Sequence, residues 1–312
     1  MGRKLFLAII LCVCCLVAKA QQDPQFTFYR QADLLYNPAT AGGDGEVSAV
    51  FLNRNQWSSI EGAPASMLFS VDLPISNLVE NMGVGLNFLQ DELGFENTTL
   101  VNLNFSYELM KTWGRMGFGL SLGMFNKEIS GEWSVPDGSD HSASDDLLPE
   151  GDVSEVAFDM GIGFWLKTKE AQLSVGITHL NQAEIEVNDA SYTFYKRHFY
   201  LSGSYSLRPN DEMFVLEPSF MFKSDFSGSQ LDLNADVHYK DKFVAGLGYR
   251  LNDGLIFRLS TQLKNGFSVG YAYDLTTSAL AAYSGGSHEF FVAYSFAIQK
   301  PKTKAYKSVR YL

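Results

Sequence analysis

Apolar and polar residues alternate along most of the chain downstream of about residue 46. In one clear stretch Leu231, Leu233 and Val237 share one face, whereas Asp232 and Asp236 share the other. A period of two is typical of a β-strand whose two faces meet different surroundings. The pattern recurs near residues 47–53, 65–71, 82–90, 99–107, 117–125, 158–166, 172–179, 198–205, 214–222, 231–239, 243–249, 255–263, 267–273 and 289–296. These segments predict about fourteen antiparallel strands, and bacterial outer-membrane barrels require an even number.

The connections between the predicted strands differ in length in a regular way. If both termini lie in the periplasm, the odd-numbered connections face outside, and they include the long segments 126–157 and 180–197. The even-numbered connections include 240–242 and 264–266, which are short. Outer-membrane barrels combine long external loops with tight periplasmic turns, whereas a soluble β-sandwich has no reason to sort its loops in this way. The sequence therefore predicts an all-β fold, a transmembrane outer-membrane β-barrel over residues 47–296, with a soluble secreted β-protein as the alternative.

Composition and charge narrow the possible classes of protein. The 312 residues are 46% hydrophobic and 14% aromatic, which is too apolar for a disordered chain. The formal net charge of −11 excludes a nucleic-acid binder that works by neutralising phosphates. No run of about eighteen apolar residues follows the N-terminal region, which excludes a multi-span helical membrane protein.

The first twenty residues have the features of a secretion signal. Arg3 and Lys4 precede the apolar stretch 5–17, and the sequence Ala-Lys-Ala ends at Ala20. We expect cleavage after Ala20, so that residues 1–20 are removed and the mature chain begins at Gln21. The chain's cysteines all lie in this apolar stretch: Cys12, Cys14 and Cys15. The mature chain is therefore expected to have neither disulfides nor cysteine-based metal sites or nucleophiles.

Two terminal segments do not continue the alternating pattern. Residues 21–46 are polar, contain Pro24 and Pro38, and are expected to lie in the barrel lumen or along the periplasmic rim. Residues 297–312 form a basic tail without an acidic residue. This tail is either solvated or a periplasmic contact for an acidic partner. Its basic residues are Lys300, Lys302, Lys304, Lys307 and Arg310.

Short motifs occur in a fixed order from the mature N-terminus to the last predicted strand, and this order resembles the PorP/SprF family of outer-membrane proteins. That family is associated with the type IX secretion system and gliding motility. The positions that carry the resemblance are Asp23, Pro24, Gln25, Asn37, Pro38, Gly42, Gln56, Trp57, Arg250, Tyr273, Asp274, Ser287, His288 and Glu289. Family members often stop close to the last strand, so the resemblance gives no role to the basic tail.

The resemblance implies an integral protein of the bacterial outer membrane with no enzymatic activity and no cofactor. Its implied partners are a periplasmic lipoprotein or peptidoglycan-linked component, a large secreted surface adhesin, or both, with membrane lipid around the barrel. It would support export or surface anchoring of the adhesin. The alternative is a passive channel for a small solute, because inward-facing glycines such as Gly119 and Gly163 leave room in the lumen. The same glycines would also permit close approach of a plug, and the channel interpretation fails if residues 21–46 fill the lumen.

Four charged residues are predicted to form a cluster at one end of the barrel. Strand parity turns Arg250, Arg258, Asp274 and Glu289 inward, at or near the external ends of the last four predicted strands. Because buried charges need partners, we expect arginine–carboxylate pairs that brace the external end. The alternative is that each charge is solvated in a wet lumen.

The remaining polar clusters give weaker signals. The loop 126–157 is rich in carboxylates, and it is either a solvated acidic loop, a calcium site without the spacing of a known motif, or a contact for a secreted partner. Its candidate partner contacts are Asp137, Asp140, Asp145 and Asp146. The histidines are dispersed, and His179 is expected at the membrane interface. An enzyme would need a compact site at the rim, near His288 and Glu289. We therefore expect no catalytic, cofactor-binding or metal site.

Overall fold

The structure is a computed structural model that describes residues 23–75, 79–130, 153–187, 190–193, 195–208, 213–240 and 242–297. The described part of the chain forms sixteen β-strands, a single α-helix and three short 3-10 helices. The strands are β1 (Glu46–Asn55), β2 (Ala65–Pro74), β3 (Met82–Leu93), β4 (Glu96–Lys111), β5 (Gly114–Ile129), β6 (Val153–Lys167), β7 (Ala171–Thr178), β8 (Glu184–Val187), β9 (Ala190–Thr193), β10 (His198–Tyr205), β11 (Phe214–Ser224), β12 (Ser229–Tyr239), β13 (Phe243–Arg250), β14 (Gly254–Gln262), β15 (Phe267–Thr276) and β16 (Ser287–Ala297). The helices are α1 (Asp33–Tyr36) and the 3-10 helices Pro38–Thr40, Lys264–Gly266 and Ala279–Ala282.

Fourteen of the strands close into one antiparallel barrel. Each barrel strand pairs with its neighbours in the chain, and β1 pairs with β16 to close the ring, from Glu46 opposite Ala297 to Asn55 opposite His288. The hairpin of β8 and β9 lies outside this order, so that β7 pairs directly with β10. The predicted all-β transmembrane barrel of fourteen antiparallel strands is confirmed.

In strands such as β12, the alternation places apolar side chains outside and polar side chains inside. In β12, Leu233 is 47% exposed on the outer wall, whereas Asp232 is 3% exposed and Asp236 is also buried. An apolar exterior around a polar interior suits a barrel that faces lipid, because hydrocarbon cannot hydrogen-bond polar side chains. Within the described residues, no helix is long and apolar enough to cross a membrane.

Several strands extend beyond the limits that alternation predicts. β4 and β5 each contain 16 residues, whereas the pattern indicates only 99–107 and 117–125. The extra residues include exposed charged side chains such as Lys111 and Glu128. The backbone ladder continues into the aqueous region, where side chains no longer need to be apolar on the outer face, so the sequence signal ends before the strand does.

Residues 23–45, which we call the lumenal segment, lie inside the barrel. A fourteen-stranded ring is wider than its own inward side chains can fill, since about eight strands already give an interior that side chains fill. Here the apolar core consists of lumenal-segment residues such as Phe26, Phe28 and Tyr36, packed against wall residues such as Leu52 and Phe291. The Phe28 ring meets the Phe291 ring edge-on at a centroid distance of 4.7 Å.

Asn37 fixes the turn in the middle of the lumenal segment. Its side-chain oxygen accepts a hydrogen bond from the Ala39 amide at 3.0 Å and caps the 3-10 helix Pro38–Thr40. Its Nδ2 donates to the Phe164 carbonyl at 2.9 Å and to Ser174 Oγ at 2.7 Å. One asparagine therefore fixes the local conformation of the segment and also attaches it to β6 and β7.

The lumenal segment runs along the barrel from one mouth to the other. The mouth that carries the long β5–β6 connection is external by the rule of loop lengths, and the mouth of the short β6–β7 connection is periplasmic. Asp23 contacts His179, which follows the external end of β7. Asp44 pairs with Lys167 at the periplasmic end of β6, 2.8 Å apart. The segment therefore begins near the external mouth and descends to the start of β1.

Inward-facing glycines make room for the backbone of this segment. A side chain at Gly119 would overlap the backbone of Ala39, and a side chain at Gly176 would overlap the Tyr36 carbonyl. At Gly163 the obstacle would be the Asn37 side chain. These glycines let the segment lie directly against the wall.

Candidate functional site

Two arginines and three carboxylates come together inside the external half of the barrel. We call them the rim charge cluster: Arg54, Asp232, Arg250, Asp274 and Glu289. They lie near the external ends of β1, β12, β13, β15 and β16. Arg54 and Arg250 are each 1% exposed and Glu289 is fully buried.

The arginines are shared among the carboxylates. Arg54 Nη2 lies 2.8 Å from Asp274 Oδ2, and Arg54 Nη1 lies 3.1 Å from Glu289 Oε2. Arg250 Nη1 lies 2.7 Å from the same Asp274 oxygen, and Arg250 Nη2 lies 2.9 Å from Asp232 Oδ2. Asp274 therefore bridges the two guanidinium groups, and such charge-assisted bonds are the strongest hydrogen bonds of a protein interior.

The lumenal segment completes this cluster. The amides of Thr27 and Phe28 donate to the two oxygens of Glu289, each at 2.7 Å. Thr27 Oγ1 accepts from Arg54 Nη1 at 2.8 Å and donates to Asp274 Oδ2 at 2.8 Å. Because Glu289 has two segment amides and one arginine as partners, the wall charges and the segment satisfy one another.

The structure brings only part of the sequence-predicted set of four together. Arg250 and Asp274 pair directly, whereas Glu289 pairs with Arg54. Arg258 forms a separate pair with Asp236, with Nη2 and Oδ1 2.8 Å apart. It reaches the lumenal segment through a bond of 3.4 Å from Nη1 to the Thr27 carbonyl.

Sequence reasoning missed Arg54, Asp232 and Thr27. Arg54 follows the first predicted strand, which has apolar residues on both faces, and only closure of the ring sets it opposite Glu289. Asp232 likewise stands opposite Arg250. The signal was therefore present for Asp232, although it needed the strand register, whereas Arg54 needed the closure of the ring. Nothing in the sequence places Thr27 beside them.

A second cluster surrounds Asp23 at the start of the lumenal segment. Asp23 Oδ2 lies 3.1 Å from His179 Nε2 and accepts a hydrogen bond from Tyr200 at 2.7 Å. His179 Nδ1 lies 2.8 Å from Asp159 Oδ1. The expectation that His179 lies at the membrane interface is wrong, because its side chain turns into the lumen and is buried between two carboxylates.

The two carboxylates determine the charge state of His179. Burial by itself lowers the pKa of a histidine, but the nearby Asp23 and Asp159 carboxylates outweigh burial and raise the pKa of His179 to about 10. For Asp23, burial raises the pKa, whereas His179 and His198 lower it more strongly, so the pKa is well below its usual range. This raised pKa favours the imidazolium form of His179 between the two carboxylates.

The periplasmic half of the lumen contains a cavity of about 300 Å³. Arg30, Asp33, Asp44 and Lys167 are among the residues that line it. Arg30 forms an ion pair with Glu217 of β11. Burial raises the pKa of Asp33 to about 7, although Arg30 lowers it in part. The lumen is therefore filled more tightly at its external end than at its periplasmic end.

The other motif positions hold turns and join elements. Gln25 Nε2 donates to Asp232 Oδ2 at 3.4 Å, and the Gly42 amide donates to Asp72 Oδ2 at 2.7 Å. The Trp57 amide donates to Ser287 Oγ at 3.1 Å, which joins the β1–β2 connection to β16. The Pro24 carbonyl accepts a hydrogen bond from the Tyr36 hydroxyl. The Tyr273 hydroxyl donates to the Gly285 carbonyl, and the Gln56 amide donates to the Pro64 carbonyl.

Gly42 shows why one motif position requires glycine. Its φ of +63° lies in the left-handed region, and a Cβ there would meet the Leu73 backbone at 2.8 Å. Both features disfavour any side chain. The motif at this position therefore reflects close approach of the lumenal segment to β2.

Other sequence-predicted residues lie outside the described residues. They are the expected signal 1–20, the four loop aspartates Asp137, Asp140, Asp145 and Asp146, and the basic residues of the tail, Lys300, Lys302, Lys304, Lys307 and Arg310. Their roles in partner contacts stay predictions.

His288 and Glu289 do not form one chemical site. They are neighbours in β16, so their side chains point to opposite faces of the wall. Glu289 faces the lumen, whereas His288 Nδ1 lies 2.7 Å from the Tyr271 hydroxyl, which is on the exposed side. This arrangement suits two separate structural contacts.

Solved structures with a similar shape are outer-membrane proteins. The Acinetobacter baumannii protein Omp33 has a TM-score of 0.47 at 6% identity, covering 81% of this chain and 99% of that one. A Pseudomonas aeruginosa FadL homologue has a TM-score of 0.45 at 11% identity, with coverages of 84% and 93%. The translocator domain of the Neisseria meningitidis autotransporter NalP has a TM-score of 0.46 at 13% identity, with coverages of 86% and 97%. None of these similarities bears on activity.

Sequence comparisons give a more specific result. Among curated proteins, none matches the chain significantly. The family profile described as type IX secretion system membrane protein PorP/SprF matches residues 18–294. The match spans the lumenal segment and nearly the whole barrel.

Proposed function

Since the chain belongs to the PorP/SprF family of type IX secretion system membrane proteins, we propose that it serves this system as a docking and anchoring barrel. The chain is an integral outer-membrane protein, so partners meet it at its connections and termini, because lipid covers the wall. A periplasmic lipoprotein or peptidoglycan-linked component would dock at the periplasmic side of the barrel. At the external side, the barrel would support the export or anchoring of a large secreted adhesin.

The observation that supports docking over transport is the filled lumen. The lumenal segment passes from the external half of the barrel to its periplasmic end, and its Thr27 and Phe28 amides bind the fully buried Glu289 of the wall. A passive channel needs a continuous aqueous path, and a packed apolar core inside the ring opposes one. The function of such a barrel then depends on what its surfaces bind.

Two groups of charged side chains are the candidate docking surfaces. The acidic loop contributes Asp137, Asp140, Asp145 and Asp146 on the external side. The basic tail contributes Lys300, Lys302, Lys304, Lys307 and Arg310 on the periplasmic side. Opposite charges at the two mouths suit two different partners, because electrostatic complementarity selects partners and speeds their encounter.

Affinity purification in mild detergent after cross-linking tests this proposal. The tagged chain, taken from its native envelope, should recover a large surface protein, a periplasmic lipoprotein or both, in near-equal amount. Neutralising the four loop aspartates should lose the external partner alone, and neutralising the basic tail should lose the periplasmic partner alone. Glu61→Gln, at an exposed position in the β1–β2 connection, is the control and should recover both. Reproducible recovery of the barrel alone would contradict docking.

A further inference from the structure

Asp23, His179 and His198 bring three potential metal ligands together at the start of the lumenal segment. One ligand atom from each residue can be chosen so that all three atoms lie within 4.8 Å of one another. The two imidazole rings stand edge to face, with their centroids 6.0 Å apart and their planes at 84°. Both histidines are buried, and the Asp23 side chain is only 11% exposed.

The spacing of these atoms fits a small divalent ion. Zinc binds imidazole nitrogens and carboxylate oxygens at about 2.0–2.2 Å, so two ligands in a tetrahedral site lie roughly 3.3 Å apart. His179 Nε2 lies 3.1 Å from Asp23 Oδ2, which is already close to this spacing. Small side-chain rotations would thus place an ion among the three groups.

Each histidine also has a partner that orients its ring. Asp159 holds Nδ1 of His179 at 2.8 Å, which directs Nε2 toward Asp23. The Lys196 carbonyl accepts from His198 Nδ1 at 2.9 Å, and this leaves the Nε2 lone pair with a single bond of 3.3 Å from the Asp23 amide. Metal-binding histidines almost always donate their other ring nitrogen to a carboxylate or a carbonyl in this way.

A small cavity adjoins two of the three residues, Asp23 and His179. It has a volume of about 20 Å³, and Thr178 and Tyr200 also line it. That volume is enough for one water molecule, which needs about 10–15 Å³. Three protein ligands with one water is a common arrangement for zinc.

Charge also favours a divalent ion. Asp23 and Asp159 place two carboxylates around one histidine. A divalent ion beside them would supply two positive charges, and buried like charges favour such compensation. In addition, His179 has a φ of +52°, a strained backbone conformation for a residue other than glycine, and such strain is often found at binding sites.

We propose that Asp23, His179 and His198 bind one zinc ion, with Asp159 and the Lys196 carbonyl as the groups that orient the histidines. The ion joins the start of the lumenal segment to the external ends of β7 and β10. Those two strands flank the β8–β9 hairpin, so the same ion fixes the base of an external loop. The ion would be a structural crosslink. The mature chain is expected to lose all its cysteines with the signal and therefore cannot form disulfides.

Zinc titration of the purified full-length chain, with its tag removed and its metals stripped by a chelator, tests this proposal. We expect about one zinc ion per chain. Cobalt(II) added instead should give the intense visible absorption of a tetrahedral site and lose it when zinc is added. His179→Ala and His198→Ala should each weaken zinc binding at least 100-fold. Asp159→Asn should weaken it about 10- to 100-fold, as expected for an orienting partner.

His238→Ala is the matched control, because His238 also faces the lumen but lies beside Glu217, 3.4 Å away. It should bind zinc like the unchanged chain. The heat-dependent shift of barrel proteins in gel electrophoresis identifies variants that have folded. Absence of bound zinc in the folded unchanged chain overturns the proposal. Equal binding by His198→Ala and His238→Ala also overturns it, and so does an octahedral cobalt spectrum.

Discussion

At the scale of single residues, the most consequential side chains are the charges inside the wall. Arg54 and Arg250 are almost completely buried, and removing such charges from water is costly unless each one is paired. Their carboxylate partners come from three different strands, and Glu289 takes two further bonds from the lumenal segment. Losing a single member should therefore leave its partners with less compensation.

Glu289→Gln should destabilise the barrel by about 3–5 kcal/mol, the usual cost of breaking a buried ion pair. The amide can accept from one of the Thr27 and Phe28 amides, but it leaves Arg54 with less compensation. Unfolding of the detergent-solubilised barrel in urea measures the effect. Glu92→Gln, at an exposed position on β3, is the control and should change the midpoint little. If Glu289→Gln unfolds at the same urea concentration as the unchanged chain, the Arg54–Glu289 pair makes no net contribution to the free energy of unfolding.

Asp33 gives a pH dependence with a defined sign. Burial raises its pKa from the ordinary 3.8 to about 7, so the folded chain holds this proton more tightly than the unfolded chain does. The free energy of unfolding therefore falls as the pH rises from about 4 to about 7, because the folded chain must give up this proton. Above about pH 7 the folded chain bears the full cost of an ionised, partly buried Asp33. The neutral Asp33→Asn should not carry this penalty.

We expect Asp33→Asn to raise the free energy of unfolding at pH 8 by roughly 1 kcal/mol and to leave it nearly unchanged at pH 4. This value is below the roughly 4 kcal/mol that the full rise of the pKa from 3.8 to about 7 would give, because Asp33 is only partly buried and lines the cavity. Urea titrations at the two pH values measure the difference. Glu61→Gln should show the same pH dependence as the unchanged chain. A variant that is less stable than the unchanged chain at pH 8 would show that the Asp33 carboxylate has a favourable partner.

The sequence predicts which way these side chains point better than it predicts what they contact. Alternation alone turns Arg250, Asp274 and Glu289 inward, because the period of a strand is two. Their partners depend on register and on ring closure, which one strand cannot reveal. Arg54 was missed because the residues before it are apolar on both faces of the strand, and only ring closure sets it opposite Glu289.

At the scale of elements, the fit between the lumenal segment and the wall depends on glycine. Gly119→Ala should destabilise the protein by about 1–3 kcal/mol, because the added methyl group overlaps the backbone of Ala39. The displaced segment should also become more susceptible to trypsin at Arg30. Gly161→Ala is the matched control on the next strand, where the nearest atom is 3.1 Å away. Equal cleavage of the two variants would contradict a tightly fitted segment.

The strands were predictable, whereas the lumenal segment was not. A strand can be recognised from the local alternation of apolar and polar residues. Fourteen such segments, joined by connections that alternate between long and short, indicate a barrel. Residues 23–45 have no period, since their order comes from side chains on several distant strands, as with Asn37, which bonds to Phe164 and Ser174. Their composition therefore left both the lumen and the periplasmic rim open.

At the scale of the whole molecule, the filled lumen predicts that the barrel does not conduct ions. The unchanged chain in a planar lipid bilayer should conduct no steady current, because the segment blocks the ring. Deletion of residues 23–45 should open a channel. Deletion of residues 298–312 is the control and should stay closed. Steady conductance of the unchanged chain would favour the passive channel.

The bonds from Thr27 and Phe28 to Glu289 also bear on how the barrel is assembled. Glu289 belongs to the last strand and Arg54 to the first, and the two residues face each other where the ring closes. Without the segment, closure would bury three carboxylates against two arginines and leave Glu289 without its two amide donors. Closure and filling should therefore stabilise each other, because docking of the lumenal segment supplies two hydrogen bonds to a carboxylate that closure buries. In a barrel that lacks residues 23–45, the seam between β1 and β16 should be the first place where the ring opens.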